Sequence, residues 1–389
     1  MNTDFKSKIK EVLKRNKAFY SLYYYVMSFL INVIKLFVRT DNKLILFVSF
    51  GGRRATDSPR AMYEYMRSDE RFRGYKLVWG LINTKDYPEI PNKVKIDTLS
   101  YFLTALRARC WITNVLVERA LNFTGKNTFY LYTGHGSPIK KCGIDENNKD
   151  HFKSNSKSSF NAVLAQSNLE KDVRGRIFNL GDEHIYMTGS PTNDILVNYK
   201  KEYRDNIRKE LKIAEDKIAI LYAPTFREYN AVGRFENKNV NFENWHKFLG
   251  NKFVILYRAH PISIFEQKEH CDWFVDVSNY NSIESLMIAS DILISDYSGL
   301  IPDYSLTHKP IYLWLYDYED YERARGLYFD LRKVLPWAED EEELLTMIKA
   351  GYTDEQKSCV QRFQLEYAPI YGSGTKNAVD LIWSQIGKQ

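Results

Sequence analysis

Cysteine is scarce and scattered in this chain. Cys110, Cys142, Cys271 and Cys359 are the only four in 389 residues, and none belongs to a CxxC pair. That argues against a disulfide frame or a zinc site and for a reducing compartment. The seven histidines never recur at metal-ligand spacing, so no metal is expected. Collagen-like, Gln/Asn-rich and Pro-rich tracts are missing, as is any internal repeat. GxxxxGK[ST], GxSxG, HExxH and a GxGxxG followed by an acid are missing too. The corresponding nucleotide, hydrolase and metalloprotease motifs are set aside, and no cofactor is expected.

Most of the chain also lacks net charge. The formal total is +6, yet residues 1–40 hold eight basic side chains against Asp4 and Glu11, which accounts for all of it. A balanced body speaks against nucleic-acid binding, and one basic end suits an acidic surface. The same end contains FYSLYYYVMSFLINVIKLFV, Phe19 to Val38, uncharged from Ala18 to Ile34. Its length is near the lower limit for a bilayer span, and its tyrosines suit the water–lipid interface. The segment is expected to lie as a monotopic helix on an anionic membrane surface, at the cytoplasmic face of the cell membrane. The alternative is an amphipathic helix packed on the protein.

After residue 40, short apolar runs alternate with helical periods. KLILFVSF, YKLVWGL, CWITN, FYLY, AVLAQS and HIYMTGS form one series of expected strands. KIAILYAP, KFVILYRAHP, FVDV, DILISD and PIYLWL form a second. Strands alternating with helices predict parallel sheets covered on both faces. With a hinge near 195–215, the expected architecture is an α/β chain of two doubly wound, Rossmann-like domains and an interdomain cleft. The divisions are 1–40, 41–200 and 201–389. Ligands are expected at the carboxyl ends of the strands. The polar stretch 140–159 reads either as a solvated loop or as part of an acceptor site.

Four strand ends carry chemistry. In YTGHGSP, Gly134 and Gly136 flank His135, which is either a proton acceptor for a hydroxyl or a turn residue. In LYAPTFRE, Thr225 and Arg227 follow a strand, and the arginine fork suits phosphate oxygens. In LYRAHP, Arg258 and His260 share one face of a strand. In DILISDYSGL, Ser298 is the expected cap of a helix whose free amides suit phosphate, with Gly299 next to it. Asp296 there suits alditol hydroxyls or the orienting of a neighbour. Upstream, Asn281 stands three residues before Glu284, as in a capping box, with capping as its plainer role.

GHGSPIKKCG, TGSPTNDIL, LYAPTFRE, RAHP, DSPRAMYEYM and the long Ile294–Leu331 segment resemble the CDP-glycerol glycerophosphotransferase family. The resemblance runs from about residue 43 to 375. It implies a GT-B-like fold, peripheral membrane attachment, CDP-glycerol or another CDP-alditol as donor, and an undecaprenyl-diphosphate-linked glycan as acceptor. It implies His135 as base on the acceptor hydroxyl and His260 at the donor phosphate or leaving group. Thr225, Arg227, Asp296 and Ser298 fall at donor-binding positions, and Lys309 matches a motif lysine whose plainer role is a surface one. The expected reaction transfers glycerol phosphate and releases CMP, in teichoic acid or capsule synthesis. Three departures bear on substrate identity. Gly134 stands where the family usually has Trp, Thr192 where it often has Arg, and a Pro-Gly-Pro is missing near Leu331–Trp337. The chain is closest in size to priming members of the family. A CDP-ribitol-dependent transferase, a nucleotide-sugar glycosyltransferase and a non-catalytic membrane-bound protein are the competing readings.

Overall fold

In the computed structural model, the described residues are 17–147, 159–225, 227, 240–259 and 271–387. Thirteen strands run through them. They are β1 (Asp41–Val48), β2 (Lys76–Leu81), β3 (Lys93–Lys95), β4 (Ala108–Thr113), β5 (Phe129–Tyr132), β6 (Ala162–Ala165) and β7 (Ile185–Met187). The second series is β8 (Ile218–Tyr222), β9 (Phe253–Tyr257), β10 (Phe274–Asp276), β11 (Ile292–Ser295), β12 (Ile311–Trp314) and β13 (Trp337–Ala338). Eleven of them fall on the expected apolar runs. The other two, β3 and β13, are edge strands of three and two residues, too short for a periodic signal.

The chain forms two sheets. One has the order β3-β2-β1-β4-β5-β6-β7, the other β10-β9-β8-β11-β12-β13. Counted from its own first strand, each begins in the doubly wound order 3-2-1-4-5-6. By contacts the chain divides into two compact units. Among the described residues the first comprises 17–134, 159–163 and 379–387, the second 135–147 and those between 164 and 378.

In the second sheet every strand pair is parallel. Successive side chains on a strand point to opposite faces, so a parallel sheet needs an apolar partner layer on each. Ala219, Leu221, Leu256, Leu293 and Leu313 enter one buried cluster with Leu286, Ile301 and Phe363. Ile220, Tyr222, Tyr257, Ile294 and Trp314 enter another with Phe242, Trp245 and Leu344. The strand order reverses between β8 and β11, and the loops leaving those two strands are where this fold exposes backbone to a ligand.

In the first unit, helix Lys17–Phe37 lays Tyr24, Ser28 and Ile31 into the fold, the one-face spacing of an α-helix. Asn122 fixes that seam: its N–H donates to Ser28 Oγ at 2.9 Å and its carbonyl accepts from Asn32 Nδ2 at 2.8 Å. The helix still exposes Leu22, Tyr25, Phe29, Leu36 and Phe37. Among the described residues one helix, Ala18–Phe37, is long and apolar enough to cross a bilayer. One seam is thus packed on protein while a broad apolar face is open. Residues 1–16, with most of the basic flank, lie outside the described residues.

Candidate active site

The segment after β5 answers why His135 is flanked by glycines. Gly134 has φ 75° and Gly136 φ 100°, a left-handed region that side chains with a Cβ disfavour. The chain makes two sharp turns there and leaves His135 exposed. Close approach adds a second reason. The N–H of Ser137 donates to the carbonyl of Gly299 at 3.2 Å. A Cβ on Gly299 would stand 2.6 Å from the Ser137 carbonyl oxygen. The GHGSP segment is thus seated, backbone on backbone, against the DYSG segment that follows β11.

That second segment is built around a carboxylate. Asp296 is buried at the end of β11, and its Oδ1 accepts from the N–H groups of Thr225 at 2.8 Å and Tyr297 at 2.7 Å. Its Oδ2 accepts from Arg227 Nη1 at 2.8 Å. Asp296 therefore ties the loop after β8 to the loop after β11 at the point where the strand order reverses. Of the two roles read from sequence, the structure displays the orienting one.

Arg227 was expected to offer its fork to phosphate. Instead Nη1 serves Asp296 and the Thr225 carbonyl, while Nε and Nη2 reach Asp317 at 2.6 and 3.1 Å. It is 1% exposed, and the rings of Tyr297, Tyr316 and Tyr321 stand 5.0–5.3 Å from its guanidinium carbon. Burial pulls its pKa down, but Asp296 and Asp317 outweigh this and hold it above the ordinary arginine value. Thr225 Oγ1, in the same loop, is buried with no hydrogen-bond partner among the described residues.

The remaining expected residues divide. Arg258 donates to the carbonyls of Val277 and Tyr280, at 3.3 and 2.9 Å, and so braces the turn after β10. His260 lies outside the described residues. The cap of helix Ile283–Ala289 is Ser282, whose Oγ accepts from the Ser285 N–H at 3.0 Å. Asn281 is left exposed. Glu284 accepts instead from Ser282 and from Thr192 Oγ1, the latter at 2.6 Å. Thr192 thus has a carboxylate partner in Glu284. Gly299, not Ser298, is the cap residue of helix Leu300–Ser305. Ser298 Oγ stays within 3.4 Å of the Leu300 N–H.

Lys309 is not a surface lysine. It donates to the carbonyls of Met287, Ile288 and Ser290, at 3.0, 2.8 and 2.5 Å, closing the C-terminus of helix Ile283–Ala289. Burial lowers its pKa to about 7.

Sequence reasoning passed over a buried polar cluster behind His135. Ser137 Oγ donates to Glu170 Oε1 at 2.7 Å and accepts from Gln166 Nε2 at 2.7 Å. Gln166 Nε2 also donates to Asp303 Oδ1 at 3.0 Å, which accepts from Asn193 Nδ2 at 2.6 Å. The signal available was local: Ser137 and Asn193 lie within quoted motifs, whereas Gln166 lies at a strand end and Glu170 on a helix, with no motif at either. Part of the 140–159 stretch is also pinned. Lys141 accepts from Arg325 Nε at 2.9 Å, Arg325 pairs with Glu146 at 3.0 Å, and Tyr328 donates to Asp145 at 2.9 Å. Residues 148–158 lie outside the described residues.

Two doubly wound sheets in one chain define a GT-B-like protein. The model of the family described as CDP-Glycerol:Poly(glycerophosphate) glycerophosphotransferase matches residues 30–379, and the chain belongs to that family. It is 32% identical over 325 residues to a teichoic acid glycerol-phosphate transferase of Staphylococcus aureus, covering 78% of this chain and 82% of that one. It is also 32% identical over 315 residues to a teichoic acid poly(glycerol phosphate) polymerase of Staphylococcus epidermidis, covering 76% of this chain and 43% of that protein. The chain spans half of the corresponding Bacillus subtilis polymerase. Among solved structures it resembles the Wall Teichoic Acid Polymerase TagF in a variant soaked with CDPG. There the TM-score is 0.82 and the identity 26%, covering 97% of this chain and 98% of that one.

Proposed function

We propose that this chain transfers glycerol phosphate from CDP-glycerol to a hydroxyl of an undecaprenyl-diphosphate-linked glycan, releasing CMP, in teichoic acid or capsule synthesis. The observation that carries this reading is the seating of the His135 loop on Gly299. It brings the loop that carries the exposed residue His135 against the loop of β11, at the topological switch of the second sheet, where the donor is to bind. Neutral His135 accepts the proton of the acceptor hydroxyl. That oxygen attacks the β-phosphorus of CDP-glycerol, a new P–O bond forms, and the bond to the bridging oxygen of CMP breaks. Positioning supplies most of the acceleration, as in other phosphoryl transfers.

In this reading residues 41–200 serve the acceptor and 201–389 the donor. Thr225, whose hydroxyl has no partner among the described residues, Ser298 and the Gly299 region contact donor oxygens, and His260 meets the leaving phosphate. Arg227, Asp296 and Arg258 act one step back, by holding the loops that carry those contacts. Helix Lys17–Phe37 lies on the cytoplasmic face of the cell membrane with its open apolar face in the interface, so the enzyme meets a lipid-linked acceptor there.

The test is CMP release from CDP-glycerol with a lipid-linked disaccharide acceptor, for wild type and His135→Ala. Acceptor-dependent release that falls at least about 100-fold in the variant supports the proposal. CMP release from CDP-ribitol alone transfers the reading to that donor. Release of a nucleoside diphosphate from a nucleotide sugar overturns it.

A further inference from the structure

We infer that Ser137 and Glu170 are positioning residues that set the place of His135, an inference that rests on the reading of His135 as the acceptor base. The need for such residues follows from the backbone. Gly134 and Gly136 give the loop its two left-handed turns, and glycine is the residue least restrained by its own conformational preferences. Flanking glycines alone do not hold an imidazole within the few tenths of an ångström that proton transfer demands.

The restraint comes from behind. Ser137, two residues past His135, has its hydroxyl fully committed: it donates to Glu170 Oε1 and accepts from Gln166 Nε2, both at 2.7 Å. Glu170 Oε2 accepts from the Gln166 N–H at 2.9 Å and pairs with Arg174 at 3.3 Å. Arg174 reaches back to the Gly136 carbonyl at 3.4 Å. Ser137, Gln166, Glu170 and Arg174 are all buried, so little water competes for these bonds and the network moves as one body. Through Gln166 it continues to Asp303, on the helix that begins just after Gly299. One set of buried bonds thus fixes the His135 loop and the β11 loop in a common register. A buried ionic cluster is weak evidence for stability, and the better attested use of such clusters is to select one geometry.

The decisive experiment is a double-mutant cycle on the full-length protein in anionic vesicles, using acceptor-dependent CMP release from CDP-glycerol. Ser137→Ala is expected to lower kcat roughly 10- to 100-fold. The KM for CDP-glycerol should stay within about threefold, because donor contacts are not touched. In a His135→Ala background Ser137→Ala should cost less than about twofold more, since its effect passes through the imidazole. A variant that keeps kcat, raises KM alone, or loses the same factor with and without His135 overturns the inference. Ser137→Cys, which keeps the volume and donates weakly, takes the same expectations if the alanine variant does not fold. A fully active His135→Ala would instead sink the underlying reading of His135, so the two failures are distinguishable.

Discussion

Arg227 and Asp296 form a buried ion pair at 2.8 Å, with side chains 1% and 3% exposed, and Asp317 closes the other edge of the same guanidinium at 2.6 Å. Replacing Arg227 with methionine leaves two carboxylates without their cation and unties the loops after β8 and β11. The expected loss is about 3–5 kcal/mol of folding stability, read as a lower urea midpoint. Arg227→Lys should recover little, because one ammonium cannot bridge both carboxylates as the planar fork does.

Gly299→Ala isolates close approach from backbone conformation. Gly299 has φ −62°, so alanine fits its torsions, but the new Cβ would meet the Ser137 carbonyl oxygen at 2.6 Å. We expect about 1–3 kcal/mol of destabilisation, the usual range for overpacking. CMP release should fall at least tenfold because the two loops must part. A fully active Gly299→Ala would show that this contact is dispensable.

Lys309 links stability to pH. Its folded pKa is about 7, against roughly 10.4 for a lysine in an unfolded chain. Between those values the unfolded chain holds more protons, so this group makes stability rise with pH from about 7 towards 10. Its penalty is fully present below pH 7. Asp291 opposes the shift, while Arg204 and Arg208 reinforce the burial effect. Urea midpoints at pH 7 and pH 9.5 should show a larger gain for wild type than for Lys309→Met. Equal gains would remove Lys309 as the cause.

Helix Lys17–Phe37 can be tested without deleting it. Phe29 and Leu36 lie on the open face, 67% and 65% exposed, away from the seam of Tyr24 and Ile31. Burying one such side chain in the interface is worth about 1.5–3 kcal/mol. Phe29→Asp with Leu36→Asp should cut sedimentation with anionic vesicles by at least tenfold and leave the melting temperature unchanged. Undiminished binding would assign the open face another role.

Much of this molecule was legible because buried parallel strands are continuous apolar runs. KIAILY, FVILY and DILIS announce a sheet covered on both faces, and the glycines at 134 and 136 announce tight turns. What escaped was partnership over distance. Arg227 looks like a loop arginine until Asp317, 90 residues further on, folds against it. Lys309 looks like a surface lysine until three carbonyls at the end of a helix converge on it. The helix caps were displaced by one position, from Asn281 to Ser282 and from Ser298 to Gly299. Neighbouring polar residues can each serve, and only backbone torsions decide between them.

The hydroxyl of Ser137 has an evolutionary consequence. It is donor to one side chain and acceptor from another, so a substitution that removes it takes one hydrogen bond from each of Glu170 and Gln166. Across relatives these three positions should change together or not at all, whereas the exposed residues around them drift independently. A lineage that has exchanged the serine should carry its compensations at the other two positions, and sequence comparison alone can look for that linked inheritance.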